Sequence, residues 1–111
     1  MQSDQAARIF DCLSSGVRLD IWRSLIKEGQ NGKVAGELAK ELGLAANSIS
    51  FHLKTLSHAN LVSVQQEGRY QRYRANTPMM NDLLVFMSDE CCINEEGGSC
   101  DLNKSDQGCS E

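Results

Sequence analysis

Four of the five cysteines, Cys91, Cys92, Cys100 and Cys109, lie within the last 21 residues of a 111-residue chain. In a small secreted protein such a cluster reads as a disulfide framework, but the N-terminus Met1 to Asp4 is polar and opens no signal-like apolar segment. The chain is therefore expected to be soluble and cytoplasmic, with its thiols reduced and available for metal or redox chemistry. The spacing C-C-x7-C-x8-C lacks the C-x2-C knuckles of structural zinc sites. Cys12, amid Ile9, Phe10 and Leu13, reads instead as a small buried hydrophobe.

A second set of residues points to polyanion binding. Arg69, Arg72 and Arg74 alternate with Tyr70 and Tyr73 in one short segment, a composition suited to phosphate or minor-groove contacts. Upstream, Asn47, Phe51, Lys54 and His58 project from one face of a helical pattern, with Ser48 and Ser50 on its flanks. A phenylalanine pointing away from the apolar stripe fits contact with a thymine methyl, or equally packing on an adjacent loop. The net charge of −4 argues against nucleic acid until it is divided. Residues 1–88 carry ten Lys or Arg against eight acids, a net +2, whereas residues 89–111 carry Lys104 against seven acids, a net −6. The acidity belongs to the tail, and the body keeps basic faces.

The positioning elements follow from periodicity. A first helix, capped by Ser3 or Asp4, carries Ala6, Ile9, Phe10 and Leu13 to the Ser14-Ser15-Gly16 break. A second spans about 17–28 with an apolar stripe of Leu19, Trp22, Leu25 and Ile26, leaving Arg18, Asp20 and Arg23 outside. A third covers about 34–42, with Val34, Leu38 and Leu42 spaced by four and Gly43 placed for a left-handed stop. Only Gly43 to Ala45 separate it from a fourth, about 46–59, whose Ile49, Leu53 and Leu56 share a face; this is a helix-turn-helix pattern. The period then becomes two. Residues 61–67 and 70–75 predict strands around a Gly68-Arg69 turn, a basic hairpin or wing. Thr77 as N-cap and Pro78 at the first helical position open a fifth helix in which Met80, Leu83, Leu84 and Met87 form one stripe, widened by Met79, Val85 and Phe86. That is more apolar surface than one small domain covers, which predicts a partner subunit. The expected architecture is mainly α with a small β-hairpin, α-α-α-α-β-β-α, in one domain over 1–90. An acidic, cysteine-rich tail follows at 91–111, expected to be flexible unless a ligand organises it.

This order of elements resembles the ArsR/SmtB family of bacterial metal-responsive repressors. The likeness is sharpest over Leu44-Ala45-Ala46-Asn47-Ser48-Ile49-Ser50-Phe51-His52-Leu53-Lys54-Thr55-Leu56 and Ala59-Asn60-Leu61-Val62, with Asn60 where the family usually has glycine. Arg18-Leu19, Gly68-Arg69-Tyr70 and Tyr73-Arg74 also fit. The resemblance covers about 4–90. It implies a winged helix-turn-helix homodimer packed through its first and last helices and bound to an inverted-repeat operator, with two recognition helices about 34 Å apart. Asn47, Ser48, Ser50, Phe51, His52 and Lys54 of the fourth helix, with Arg69 and Arg72 of the wing, are the expected DNA-binding residues.

Two departures bear on the inducer. Many arsenic-responsive members carry Cys-x-Cys before the recognition helix, but Val34 to Leu38 here contain no cysteine. The family's zinc site on the last helix needs histidine, and both histidines, His52 and His58, lie in the fourth helix. The tail instead resembles members with a Cys-Cys pair and a third cysteine beyond the last helix. Trivalent arsenic or antimony forms three bonds to sulfur, so Cys91, Cys92 and Cys100 are the expected As(III)/Sb(III) ligands, with Cys109 as a geometric substitute. The loop from Cys92 to Cys100, containing Gly97-Gly98, closes at modest entropic cost. Zinc or cadmium on four thiols, a thiol-redox switch and an incidental cysteine-rich terminus remain open at this point, as does a site shared between two subunits. No C-x-x-C after a strand, phosphate-binding glycine loop or His/carboxylate constellation suggests an enzyme, and none is expected.

Overall fold

The computed structural model describes residues 1–95 of the chain; Cys100, Cys109 and the rest of the acidic tail lie outside the described residues. Among the described residues five helices and three short strands run α1 (Ser3–Cys12), α2 (Gly16–Glu28), β1 (Lys33–Val34), α3 (Ala35–Leu42), α4 (Ala46–His58), β2 (Val62–Glu67), β3 (Tyr70–Ala75) and α5 (Thr77–Ser88), with a 3-10 turn at Gly29–Asn31 between α2 and β1. The winged helix-turn-helix order is the expected one. Its addition is β1, two residues that pair antiparallel with β3, Lys33 opposite Tyr73 and Val34 opposite Arg72, to give a sheet ordered β1-β3-β2. A two-residue strand has no period to detect, so only the partner β3 reveals it.

Apolar residues recurring on the inner helical faces build the core. Ala6, Ile9 and Cys12 of α1, Ile21, Trp22 and Leu25 of α2, Leu38 of α3 and Ile49, Leu53 and Leu56 of α4 pack with Leu61, Val62 and Leu83. Cys12 is thus the buried hydrophobe expected, and burial pushes its thiol above the ordinary cysteine value despite Arg18 nearby.

Three local features differ from the expected stripe and caps. In α2, Leu19 and Ile26 are exposed, and the inner stripe is Ile21, Trp22 and Leu25 with buried Ser24. Two overlapping apolar stripes fit this helix, and the choice is made by what faces it. Ser24 tolerates burial because its hydroxyl donates to Glu41 Oε1 (2.9 Å) and accepts from Lys33 Nζ (2.9 Å). At the N-terminus of α1, Ser3 is already helical and Gln2 is the capping position, with no side-chain cap. At α5 the cap is Asn76, whose side chain accepts from the Met79 N–H (3.3 Å), and Thr77 is the first helical residue.

The α3 and α4 ends follow the expected chemistry. Gly43 is left-handed (φ 68°, ψ 37°) and turns the chain toward α4. Asn60 takes the glycine role after α4, with φ 62°, while Asn60 N–H bonds Ser57 O (3.0 Å) and Leu61 N–H bonds Leu56 O (3.0 Å), a Schellman stop. Asparagine is among the few L residues that enter this region readily.

Candidate nucleic-acid interface and thiol pair

The outer face of α4 exists because Ile49, Leu53 and Leu56 anchor the opposite one. Asn47, Ser50, Phe51, Lys54 and His58 are exposed, and Ser48 lies at the margin. Phe51 is 63% exposed and makes an edge contact with the His52 ring, centroids 5.6 Å apart. An apolar ring standing in solvent on a recognition-helix face suits a thymine methyl.

His52 sits differently from its neighbours. It is half-buried, and its Nδ1 lies 3.2 Å from Nη1 of Arg18 in α2. The same guanidinium donates through Nε to the Cys12 carbonyl at the end of α1 (2.6 Å). The periodicity of α2 puts Arg18 outside the fold; it bridges three helices instead. Nothing in its own helical position distinguishes it, because its partners are 6 and 34 residues away.

The wing is the hairpin of the two six-residue strands β2 and β3, registered from Val62 opposite Ala75 to Glu67 opposite Tyr70. Arg69 and Tyr70 are exposed at its turn. Arg72, grouped with Arg69 by composition, directs its Nε to both Glu67 oxygens (3.0 and 3.1 Å) and its Nη1 to the Asn31 carbonyl (3.0 Å). Arg74 donates from Nε to the Gln30 carbonyl (2.7 Å) and from Nη1 to Gln65 (2.7 Å). These two arginines fasten the wing to the α2–β1 connection. Tyr73, between them in sequence, is half-buried, and desolvation raises its phenol above the ordinary tyrosine value. A cleft of about 380 Å³ between α4 and the hairpin is bordered by Ser50, Lys54, His58 and Gln71, polar groups of the kind that meet a nucleic-acid backbone.

The second candidate site lies at the end of α5. Leu83 faces the core, while Leu84, Val85 and Met87 are exposed. Gln5 of α1 reaches the Met79 sulfur (3.5 Å), and Phe10 of α1 is 47% exposed, so first and last helices together present uncovered apolar surface. Beyond Ser88 the chain makes successive tight turns, Cys91 N–H to Ser88 O (3.1 Å), Ile93 N–H to Glu90 O (3.1 Å) and Glu95 N–H to Cys92 O (3.0 Å). These turns bring the Cys91 and Cys92 sulfurs within 3.2 Å of each other. Glu90 and Cys92 adopt left-handed backbone (φ 62° and 64°), a conformation L side chains resist. The third expected ligand, Cys100, lies outside the described residues. Among the described residues no group of three or more His, Cys, Asp or Glu could hold a metal ion, and no helix is long and apolar enough to cross a membrane.

Comparison with known proteins agrees with this geometry. A helix-turn-helix domain family matches residues 13–65. The arsenical resistance operon repressor of Bacillus subtilis is 31% identical over 93 residues, 83% of this chain and 84% of the relative. The transcriptional repressor SdpR of the same organism is 30% identical over 79 residues, 71% of this chain and 84% of the relative. Among solved structures, a homodimeric winged helix-turn-helix DNA-binding domain from Mycobacterium bovis, described as a possible ArsR-family transcriptional regulator, superposes with TM-score 0.62 at 26% identity, covering 86% of this chain and 89% of that one. The sequence likeness spans most of each repressor, and the fold places a recognition helix and wing where both are needed: the chain belongs to the ArsR family of winged helix-turn-helix transcriptional regulators.

Proposed function

We propose that the protein is a homodimeric repressor that leaves an inverted-repeat operator when As(III) or Sb(III) is taken up by Cys91, Cys92 and Cys100. The observation that carries the inducer half is the pair of thiols 3.2 Å apart immediately behind α5, the helix whose outer face is apolar. Soft thiolates suit a thiophilic centre, and two adjacent sulfurs leave one ligand to be recruited. Similarity to an arsenical resistance repressor and to a homodimeric domain supports the reading.

The chemistry limits how release works. With arsenous acid, three S–As bonds form, three As–O bonds break and three waters leave, so the tail charge does not change. Repulsion from DNA is therefore not the switch. Drawing Cys100 onto Cys91 and Cys92 acts on the turns at Glu90 and Cys92, where the backbone is already left-handed, and through them on α5. A shift of α5 in the dimer changes the separation of the two α4 helices. Linkage requires that the metalloid bind the DNA-free form more tightly.

The test is a titration of protein bound to a duplex selected from a random library, with arsenite, antimonite, cadmium and zinc, while thiols are counted. Release by arsenite with three thiols lost per subunit is expected. Four thiols lost to zinc or cadmium, or release only by an oxidant, would replace the metalloid reading with a divalent-metal or redox one. A Cys91→Ser, Cys92→Ser variant that still left DNA on arsenite addition would refute the site.

A further inference from the structure

We propose that Arg18 is a positioning residue for DNA recognition, fixing His52 as a neutral hydrogen-bond donor through Nε2 toward an acceptor on a base edge. The proposal rests on the family's DNA-binding function and adds to it a residue outside the helix-turn-helix face.

The donor count sets the tautomer. A guanidinium has five N–H donors and no acceptor, so the 3.2 Å contact between Arg18 Nη1 and His52 Nδ1 is a hydrogen bond only if Nδ1 carries a lone pair. The neutral ring's proton then sits on Nε2, on the ring edge turned away from Arg18. A protonated ring could not accept this bond and would face a second cation. His52 follows exposed Phe51 and precedes core-anchored Leu53, so its ring sits at the margin between the core and the outward face of α4. In the major groove, guanine O6 and N7, adenine N7 and thymine O4 accept from such a donor.

The guanidinium is itself held. Its Nε donates to the Cys12 carbonyl (2.6 Å), one of the carbonyls left without an intrahelical partner where α1 ends. Arg18 lies in the first turn of α2, where the Ser15 side chain accepts its backbone N–H (3.3 Å). Cys12 also touches α4 directly, its sulfur 3.9 Å from the Thr55 carbonyl. His52 is thus aimed from the end of α1, and a movement of α1 relative to α4 changes its presentation. Lysine could not replace the arginine, since one ammonium does not reproduce a planar fork spanning two separate acceptors.

The experiment uses the full chain and the best duplex that the wild type selects from a random library, compared with mixed-sequence genomic DNA. Arg18→Lys and Arg18→Leu are each expected to weaken the selected duplex by about five- to tenfold, one hydrogen bond's worth. Binding to genomic DNA and the salt slope should be unchanged. His52→Leu should show the same loss, and Arg18→Leu, His52→Leu no further loss. Ring 15N shifts should report Nδ1 without and Nε2 with a proton at His52 in the wild type, altered by Arg18→Leu while His58 stays constant. Thermal unfolding identifies a variant that fails to fold, in which case Arg18→Lys decides. Equal weakening on all DNA with a reduced salt slope would make Arg18 a phosphate contact and overturn the proposal, as would additive losses or unaltered His52 shifts. If the wild type selects no duplex, DNA binding itself fails, which the 15N arm separates from a wrong tautomer.

Discussion

The Arg72 guanidinium lies on the Glu67 carboxylate across the β2–β3 hairpin, Nε 3.0 and 3.1 Å from its two oxygens, while Nη1 holds the Asn31 carbonyl. Arg69, three residues earlier, is exposed at the turn. Composition treats these arginines alike, but the wing needs one as a fastener. Arg72→Ala is expected to lower stability by about 1 kcal/mol, the discounted worth of a half-exposed ion pair and its hydrogen bonds. It should weaken DNA binding with little change in salt slope. Arg69→Ala should leave stability intact and reduce the slope of log K against log salt by about 0.9, one phosphate. Denaturant unfolding and binding across a salt series separate the two; equal slope changes would place Arg72 on the DNA.

Gly32 immediately precedes β1 and lies against β3. Its φ is +62°, and a Cβ there would lie 2.5 Å from the Tyr73 carbonyl oxygen and 2.8 Å from Arg74 Cγ. Gly32→Ala combines left-handed strain with a backbone clash and is expected to cost about 2–4 kcal/mol. Gly36→Ala has open space around its Cβ and a helical backbone, so it should be neutral or slightly stabilising. Urea midpoints for the pair check this, and a mild Gly32→Ala would show that β1 can detach without consequence.

On α5, adjacent leucines have opposite assignments. Leu83 is 3% exposed and Leu84 57%. Leu83→Ala should destabilise by about 2–5 kcal/mol through lost packing. Leu84→Glu should keep the fold and dissociate the proposed dimer, read by sedimentation and circular dichroism. A Leu84→Glu protein that still sediments as a dimer would move the interface off this face.

Acid should weaken one tertiary link selectively. The Lys33 ammonium, then the Ser24 hydroxyl, hold the Glu41 carboxyl below the usual glutamate value. A carboxyl lowered in the folded state contributes fully above its unfolded value, about pH 4.3, and that contribution disappears as pH falls through the lowered folded value. Lys33, raised chiefly by its bond to Glu41, contributes below about pH 10.4 and loses this as pH rises through its raised value. Unfolding of wild type and Glu41→Gln from neutral pH downward should show a stability gap that closes in acid. A gap of constant size would remove Glu41 from the pH response.

Elements with internal repetition are legible in the sequence by itself. The core face of α4, the Ala6, Ile9 and Leu38 positions of α1 and α3, the glycine stop at 43 and the two long strands need only local periodicity and turn chemistry, whereas Phe10 of the α1 stripe is exposed and Val34 of the third stripe lies in β1. Asn60 stands out as a departure from glycine, and its φ of 62° shows how the departure is absorbed. The tail's thiol chemistry is equally visible as a cluster of cysteines. What the tertiary structure decided are relationships between distant segments. It chose Ile21 over Leu19 in α2, and the Ser24 buried on the same face is satisfied by Glu41 and Lys33 from distant segments. It turned Arg72 and Arg74 onto the α2–β1 connection, and Arg18 onto Cys12 and His52. A sequence states which residues are charged and on which face of their own helix they fall; it does not state what stands opposite. For a guanidinium, the group opposite decides whether it meets a phosphate or aims another side chain at a base.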